Sequence, residues 1–186
     1  MADVLTPEQR RLNMSRIRGK DTKPELILRK GLHAAGFRYR LHAKDLPGRP
    51  DMVFTRFRAV IMVHGCFWHG HSCPMFKLPT TRREFWVAKI AGNQQRDEQA
   101  LMRLATASWR VLTVWECSLK GPARLPRPEV FAHCAGFLRS DTATAGIEGV
   151  WSQRPYEALA GPSLAGSTVR RSDQLRSSAG PSKDDI

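Results

Sequence analysis

The chain has 186 residues, 41% of them hydrophobic, which is room for one domain with a real core plus tails. Its 30 basic residues against 17 acidic give a net charge of +13, a surplus that points to nucleic acid as partner, with an acidic membrane surface second. No apolar run is long enough to span a bilayer and the opening residues are polar, so the expected location is the cytosol, where cysteines stay reduced and serve as metal ligands or core thiols before disulfides.

Thr6, Pro7 and Glu8 make a helix start: an N-cap, an N1 proline and an acidic first turn. This first helix carries Arg10, Arg11, Met14, Arg16 and Ile17, is basic and weakly apolar, and suits an arm ordered by a partner. Asp21 to Glu25 repeats the signal. Leu26, Ile27, Leu28, Leu32 and Ala35 then predict a core-facing helix ending at Gly36. Glu25 in its first turn suits the helix dipole.

Residues 37–42 read as a strand, 46–50 (Leu-Pro-Gly-Arg-Pro) as a rigid turn, 51–55 as a second strand and 59–63 as a third. Asp51 therefore stands at the mouth of one strand, beside the exit of the next, where His64 emerges. An Asp after Pro is ordinarily a turn cap; its place opposite a histidine-rich loop favours a catalytic role.

That loop organises the chain. Residues 63–73, Val-His-Gly-Cys-Phe-Trp-His-Gly-His-Ser-Cys, hold three of the six histidines, two of the four cysteines and two adjacent aromatics. Residues 79–84 then open a long helix running to about Ala107. Trp86, Ile90, Asp97, Leu101 and Leu104 share one face of it, their intervals of 4, 7, 4 and 3 matching the helical period. Asp97 is thus a carboxylate on an inward stripe and needs a partner. An arginine or a histidine of the central loop would serve, and His69 is the natural histidine because the helix follows the loop directly.

Residues 109–115 predict another strand, with Glu116 and Cys117 at its end. Residues 126–138 predict a last helix, with Cys134 as a core thiol. From Ser140 onward Ser, Thr, Ala, Gly and Pro dominate without a period, which predicts a disordered tail. Within it Trp151 and Tyr156 are the candidates for a short docking segment. The order α-α-β-β-β-α-β-α gives an α/β class: a mixed sheet flanked by helices. The expected division is a DNA-contacting arm at 1–20, one domain at 21–139 and a tail at 140–186.

Three chemistries are interleaved in this pattern. Cys66, His71 and Cys73 with Cys117 offer three thiolates and an imidazole, a set that suits a closed, tetrahedral, structural zinc site; the alternative is that Cys66 and Cys117 are buried thiols and Cys73 is exposed. Asp51 is a hard oxygen ligand suited to Mg²⁺. His64 and His69 are free imidazoles on the same loop, one able to take a proton from water and the other to contact phosphate. A cation held by a carboxylate, plus a histidine base, suits phosphodiester hydrolysis. Phe67, Trp68 and Trp86 either wedge between bases or form a small core.

The residues quoted so far resemble the bacterial very-short-patch-repair mismatch endonucleases. The matching stretches are Asn13-Met14, Asp21-Thr22 with Glu25, residues 46–51 (Leu-Pro-Gly-Arg-Pro-Asp), residues 64–69 (His-Gly-Cys-Phe-Trp-His) with His71 and Cys73, Thr81-Arg82 with residues 84–86, Asn93 with Arg96-Asp97, and residues 109–117. They cover roughly residues 1–139 in order. The resemblance implies a restriction-endonuclease-like fold and a Mg²⁺-dependent nick on the 5′ side of the thymine in a T·G mismatch arising from 5-methylcytosine deamination.

It further implies Asp51 as the metal-binding carboxylate, His69 as general base oriented by Asp97, His64 near the scissile phosphate and Glu25 as an active-site acid. Cys66, His71, Cys73 and Cys117 would hold structural zinc. Phe67, Trp68 and Trp86 would intercalate beside the mismatch, with Met14 inserting from the minor groove. Two departures stand out. Val63 replaces a polar residue, leaving its backbone carbonyl for Mg²⁺, and Gly70 replaces a further histidine. The expected partner is duplex DNA with a T·G mismatch, with other mismatch-repair proteins beside it; the expected state is a monomer with no membrane contact. The rival readings are a zinc-stapled DNA-binding module without catalysis and a restriction endonuclease acting on matched DNA.

Overall fold

The computed structural model describes residues 6, 8–9, 11–12 and 19–151. Among these, Glu8, Gln9, Arg11 and Leu12 are helical, in the region of the predicted arm. The expectations for Met14, Tyr156 and the remainder of the predicted tail fall on residues outside the described set.

The first complete helix, α1, spans Lys23–Ala34. It starts where the sequence places it because Thr22 and Glu25 form a capping box, each side chain satisfying the other residue's backbone N–H. Leu28 and Leu32, one turn apart, are fully buried. The chain leaves through Gly36 at φ +88°, a conformation that favours glycine.

A short strand β1, Arg40–Leu41, follows. The expected strand over 37–42 shortens to the two residues that pair with β2, Arg40 opposite Val53 and Leu41 opposite Met52, and His42 beyond them takes a left-handed φ of 45°. Strand β2, Met52–Phe54, and strand β3, Ala59–His64, form an antiparallel hairpin. It turns through a 3₁₀ segment, Thr55–Phe57, and a left-handed Arg58.

Helix α2, Arg83–Thr106, carries the chain over the sheet to β4, Arg110–Trp115, which runs parallel to β3. The helix begins a few residues later than expected, after Arg82 at φ 52°. A second crossover, α3, Arg127–Arg139, leads to a fifth strand, β5, Thr144–Ile147. The sheet order is β1-β2-β3-β4-β5, antiparallel on one side and parallel on the other.

The strand β5 corrects the boundary drawn at Ser140. Residues 144–147 pair with β4 in parallel register, Val111 opposite Thr144 and Val114 opposite Ile147. The side chains of an edge strand are small and partly exposed; here only Ile147 is buried. Composition therefore gives no hint of a strand held by backbone hydrogen bonds.

Both faces of the sheet are covered, giving a mixed α/β architecture of three layers. On one side Leu28 and Leu32 of α1 and Val130, Cys134, Phe137 and Leu138 of α3 pack against Met52, Phe54, Ile61, Leu112 and Val114. Cys134 is a fully buried core thiol, as expected. On the other side Ala100 and Leu104 of α2 cover Val53, Val60, Met62 and Val111. No helix among the described residues is long and apolar enough to cross a membrane.

Candidate functional site

The C-terminal ends of the parallel strands β3 and β4 lie side by side, with His64 opposite Trp115. The loop that leaves β3 folds back on itself through backbone bonds from His69 to Gly65 at 3.2 Å and from His71 to Cys66 at 3.0 Å. Helix α2 pins it from the side: Asn93 Nδ2 donates to the Trp68 carbonyl at 2.6 Å and Gln94 Nε2 to that of His69 at 3.3 Å. Gly70 is required at φ +61°, because a Cβ there would stand 2.7 Å from Ile90 and from Gln94.

His64 and His69 stack with ring centroids 3.9 Å apart, 6° from parallel. His69 Nδ1 lies 2.5 Å from Asp97 Oδ2. Of the two partners open to Asp97, the structure selects the histidine. A carboxylate only accepts, so Nδ1 carries the proton and Nε2 keeps its lone pair free. His64 is buried, and burial together with the adjacent His69 lowers its pKa to about 3, so its ring is neutral.

Asp51 closes the other side of this strand end. Its Oδ2 accepts the backbone N–H of Val63 at 2.7 Å. Burial raises its carboxyl to about 6, against the opposing effect of that hydrogen bond; the negative charge of Glu25 pushes the same way as burial. One peptide bond separates Val63 from His64, so the carboxylate and the histidine pair flank one end of β3.

Around Asp51 the structure adds residues that sequence reasoning missed. Arg29 is 7% exposed. Its guanidinium meets Asp21 at 2.5 Å, Glu25 at 2.6 Å and His42 Nε2 at 2.8 Å. Arginine only donates, so His42 Nε2 accepts and its Nδ1–H faces Asp51 Oδ1, 3.9 Å away. Glu25 therefore caps α1, pairs with Arg29 and acts electrostatically on Asp51 at once. The left-handed φ at His42 is a local strain of the kind found at functional sites. The spacing of Arg29 and His42, 13 residues apart in different elements, carried no signal of this contact.

Behind the loop, Cys66, His71, Cys73 and Cys117 offer ligand atoms all within 4.8 Å of one another. His71 Nδ1 lies 3.6 Å from the sulfurs of both Cys66 and Cys117. A tetrahedral ion with Zn–S of about 2.3 Å and Zn–N of about 2.0 Å would set sulfur and nitrogen about 3.5 Å apart, so the donor set fits zinc.

Hydrogen bonding with Cys117, then burial, pushes the Cys66 thiol up. Hydrogen bonds from Cys66 and His71 outweigh burial and bring Cys117 down to about 5. Burial alone would lower His71, yet its bonds to Cys117 and Glu148 raise it to about 9.

Phe67, Trp68 and Trp86 form a half-buried cluster. Phe67 is 5.1 Å from Trp68 and 5.2 Å from Trp86, and Trp68 is 6.1 Å from Trp86, all near edge-to-face. Trp86 belongs to this surface group, outside the two sheet-facing cores, and Phe85 beside it is exposed. An apolar cluster at the surface of so basic a chain can stack on bases.

The sequence itself matches known proteins over most of its length. Residues 2–75 match the family model for DNA mismatch endonuclease Vsr. The DNA mismatch endonuclease Vsr of Escherichia coli K12 is 42% identical over 148 residues, 80% of this chain and 95% of that protein. The type II nicking enzyme V.XorIIP of Xanthomonas oryzae is 50% identical over 119 residues, 64% of this chain and 88% of that enzyme. The type II nicking enzyme V.NmeAIP of Neisseria meningitidis is 42% identical over 123 residues, 66% of this chain and 88% of that enzyme.

Proposed function

The chain belongs to the Vsr family of DNA mismatch endonucleases and is a DNA-nicking nuclease, and from that premise we propose that it nicks one strand on the 5′ side of the thymine in T·G mismatches left by 5-methylcytosine deamination. The single observation that carries the hydrolytic step of this reading is the His69–Asp97 pair, stacked on His64 at the strand end that Asp51 borders, while the mismatch substrate follows from kinship with the family.

His69 Nε2 takes a proton from the attacking water while Asp97 holds the ring in place and offsets the charge it gains. The water oxygen then bonds to phosphorus and the bond to the leaving oxygen of the strand breaks. His64, being neutral, donates a hydrogen bond to a phosphate oxygen. Glu25 and Arg29 keep the surroundings of Asp51 charge-balanced. A Mg²⁺ ion would be held by Asp51 and the Val63 carbonyl and would supply charge neutralisation at the phosphate. Zn²⁺ held by Cys66, His71, Cys73 and Cys117 would shape the loop without entering the chemistry.

Phe67, Trp68 and Trp86 insert beside the mismatch, with Met14 approaching from the minor groove. The three-layer mixed sheet supports a restriction-endonuclease-like fold. The enzyme acts as a monomer in the bacterial cytoplasm, at the nucleoid when bound to DNA, alongside other mismatch-repair proteins.

The test is a panel of T·G and matched duplexes of varied flanking sequence, incubated with Mg²⁺ and then with EDTA and resolved on a denaturing gel. A single-strand cut confined to T·G duplexes and abolished by EDTA supports the reading. Equal cutting of matched DNA on both strands replaces it with a restriction enzyme. No cut, with mismatch binding intact, leaves a binding module.

A further inference from the structure

Four residues of the stretch that composition assigns to a tail wrap the cysteine-rich centre. The chain leaves β5 at Ile147, and Glu148 next to it places Oε2 2.9 Å from Nε2 of His71. Gly149 donates its N–H to the Cys117 sulfur at 3.3 Å. Val150 N–H bonds the Ala123 carbonyl at 2.8 Å, and Trp151 packs against the cluster. Gly149 allows no side chain: a Cβ would fall 2.5 Å from the Ala123 carbonyl oxygen and 2.6 Å from that of Cys117. Such close backbone contact shows a segment fitted to the centre.

We propose that Glu148 is an outer-shell positioning residue of the metal centre, its carboxylate accepting the Nε2–H of His71 so that Nδ1 is fixed toward the three sulfurs. The inference rests on the zinc reading above. Three contacts then determine the imidazole of His71. Its Nδ1 faces Cys66 and Cys117 at 3.6 Å. Its Nε2 faces Glu148. Its ring lies flat on Trp115, centroids 4.0 Å apart and 10° from parallel. A histidine that binds metal commonly gives its other N–H to a carboxylate, which sets the tautomer and strengthens the ligand. Glu148 supplies that carboxylate from 77 residues away in sequence.

The same contact connects the centre to the catalytic histidines. Trp115, stacked on His71, presents a near-perpendicular contact to His64 at 5.3 Å. A His71 ring free to rotate would loosen the indole that supports the histidine pair.

The experiment measures zinc content and affinity of the full chain, wild type, Glu148→Gln and Glu148→Ala, by competition with a chromophoric chelator. Thermal unfolding is followed with and without added zinc. The expected result is a 10- to 100-fold weaker zinc affinity for Glu148→Ala, a smaller loss for Glu148→Gln, which keeps an acceptor oxygen, and recovery of wild-type unfolding in excess zinc. An unchanged competition curve for Glu148→Ala overturns the proposal. So does a stability loss that zinc does not restore, since the contact would then only anchor β5. Should Glu148→Ala fail to fold even with zinc, the Glu148→Gln curve decides by the same criterion. A wild-type protein that holds no zinc at all removes the metal reading itself, and that result precedes any variant.

Discussion

Asp97 Oδ2 and His69 Nδ1 are 2.5 Å apart, though 28 residues separate them and they belong to a helix and a loop. The pair places the Nδ1–H of His69 on the carboxylate, and in the proposed mechanism Nε2 is the nitrogen that meets the water. His69→Ala should lower the single-turnover nicking rate by about 10² to 10⁴, the usual contribution of a general base, while mismatch binding in a gel-shift assay stays near wild type. Asp97→Asn, which keeps the shape but loses the charge, should lower the rate less than His69→Ala. A variant of His69 that loses binding as much as rate would place this residue in the DNA contact instead.

Asp51 is held to about 6 by burial, so it is protonated in mild acid. A cation needs the carboxylate form. At limiting Mg²⁺ the nicking rate should therefore rise with pH through about 6. Saturating Mg²⁺ competes with the proton and should move that rise to lower pH. Asp51→Asn should remove both the rate and its Mg²⁺ dependence while DNA binding persists. His64, neutral from about 3 upward, contributes no step to the profile in this range. A rate profile flat between pH 5 and 7 at limiting Mg²⁺ is the result that would count against the assignment.

Removing one of the proposed zinc ligands should act differently from removing the proposed base. Cys73 is buried in the cluster with Cys66 and Cys117, and Phe67 and Trp68 follow Cys66 directly in the chain. Cys73→Ala should lower thermal stability, mismatch binding and rate together, whereas His69→Ala lowers rate alone. Circular dichroism melting with parallel gel shifts separates the two. Identical behaviour of both variants would end the division of the loop into folding and chemical positions.

The half-buried aromatics should determine mismatch preference. Stacking on a base contributes about 1–3 kcal/mol by alanine substitution. Trp68→Ala and Trp86→Ala should each weaken binding to T·G duplexes by roughly 5- to 150-fold and narrow the gap between T·G and matched DNA. Fluorescence anisotropy on the two duplexes reads both quantities. A uniform loss on matched and mismatched DNA would assign these rings to general contact.

Arg29 is buried between Glu25 and Asp21, and its loss leaves the Glu25 carboxylate, only 4% exposed, without its cation. Breaking a buried pair from one side costs about 3–5 kcal/mol. Arg29→Met should lower unfolding free energy in urea by about that amount, and Arg29→Met with Glu25→Gln should recover part of it. An Arg29→Met protein as stable as wild type would show that the network contributes little to folding.

Much of this was legible along the chain because its signals are local. The capping box of Thr22 and Glu25 lies within one helical turn, so α1 and its start could be read directly. The apolar runs at 52–54, 59–64 and 110–115 announce buried strands. The cysteines and histidines of residues 63–73 offer metal-ligand types by composition alone, with buried thiols as the alternative. Even Asp97 showed itself as a carboxylate on an inward helix face, although its partner stayed open between an arginine and a histidine.

What the sequence determined by itself was the inventory: which groups could bind a metal, take a proton or stack on a base, and the family that carries them in this order. Tertiary structure decided who meets whom. Arg29 meets His42, which faces Asp51, Trp115 stacks on His71, and Glu148 meets His71 beside the cysteine cluster. The physical reason is the same in each case. These contacts join segments far apart in sequence, and a long-range contact leaves no periodicity or spacing for a single chain to display. The strand β5 shows it most plainly, since an edge strand is held by main-chain hydrogen bonds that every residue type can make, and the composition of residues 144–147 gave no sign of them.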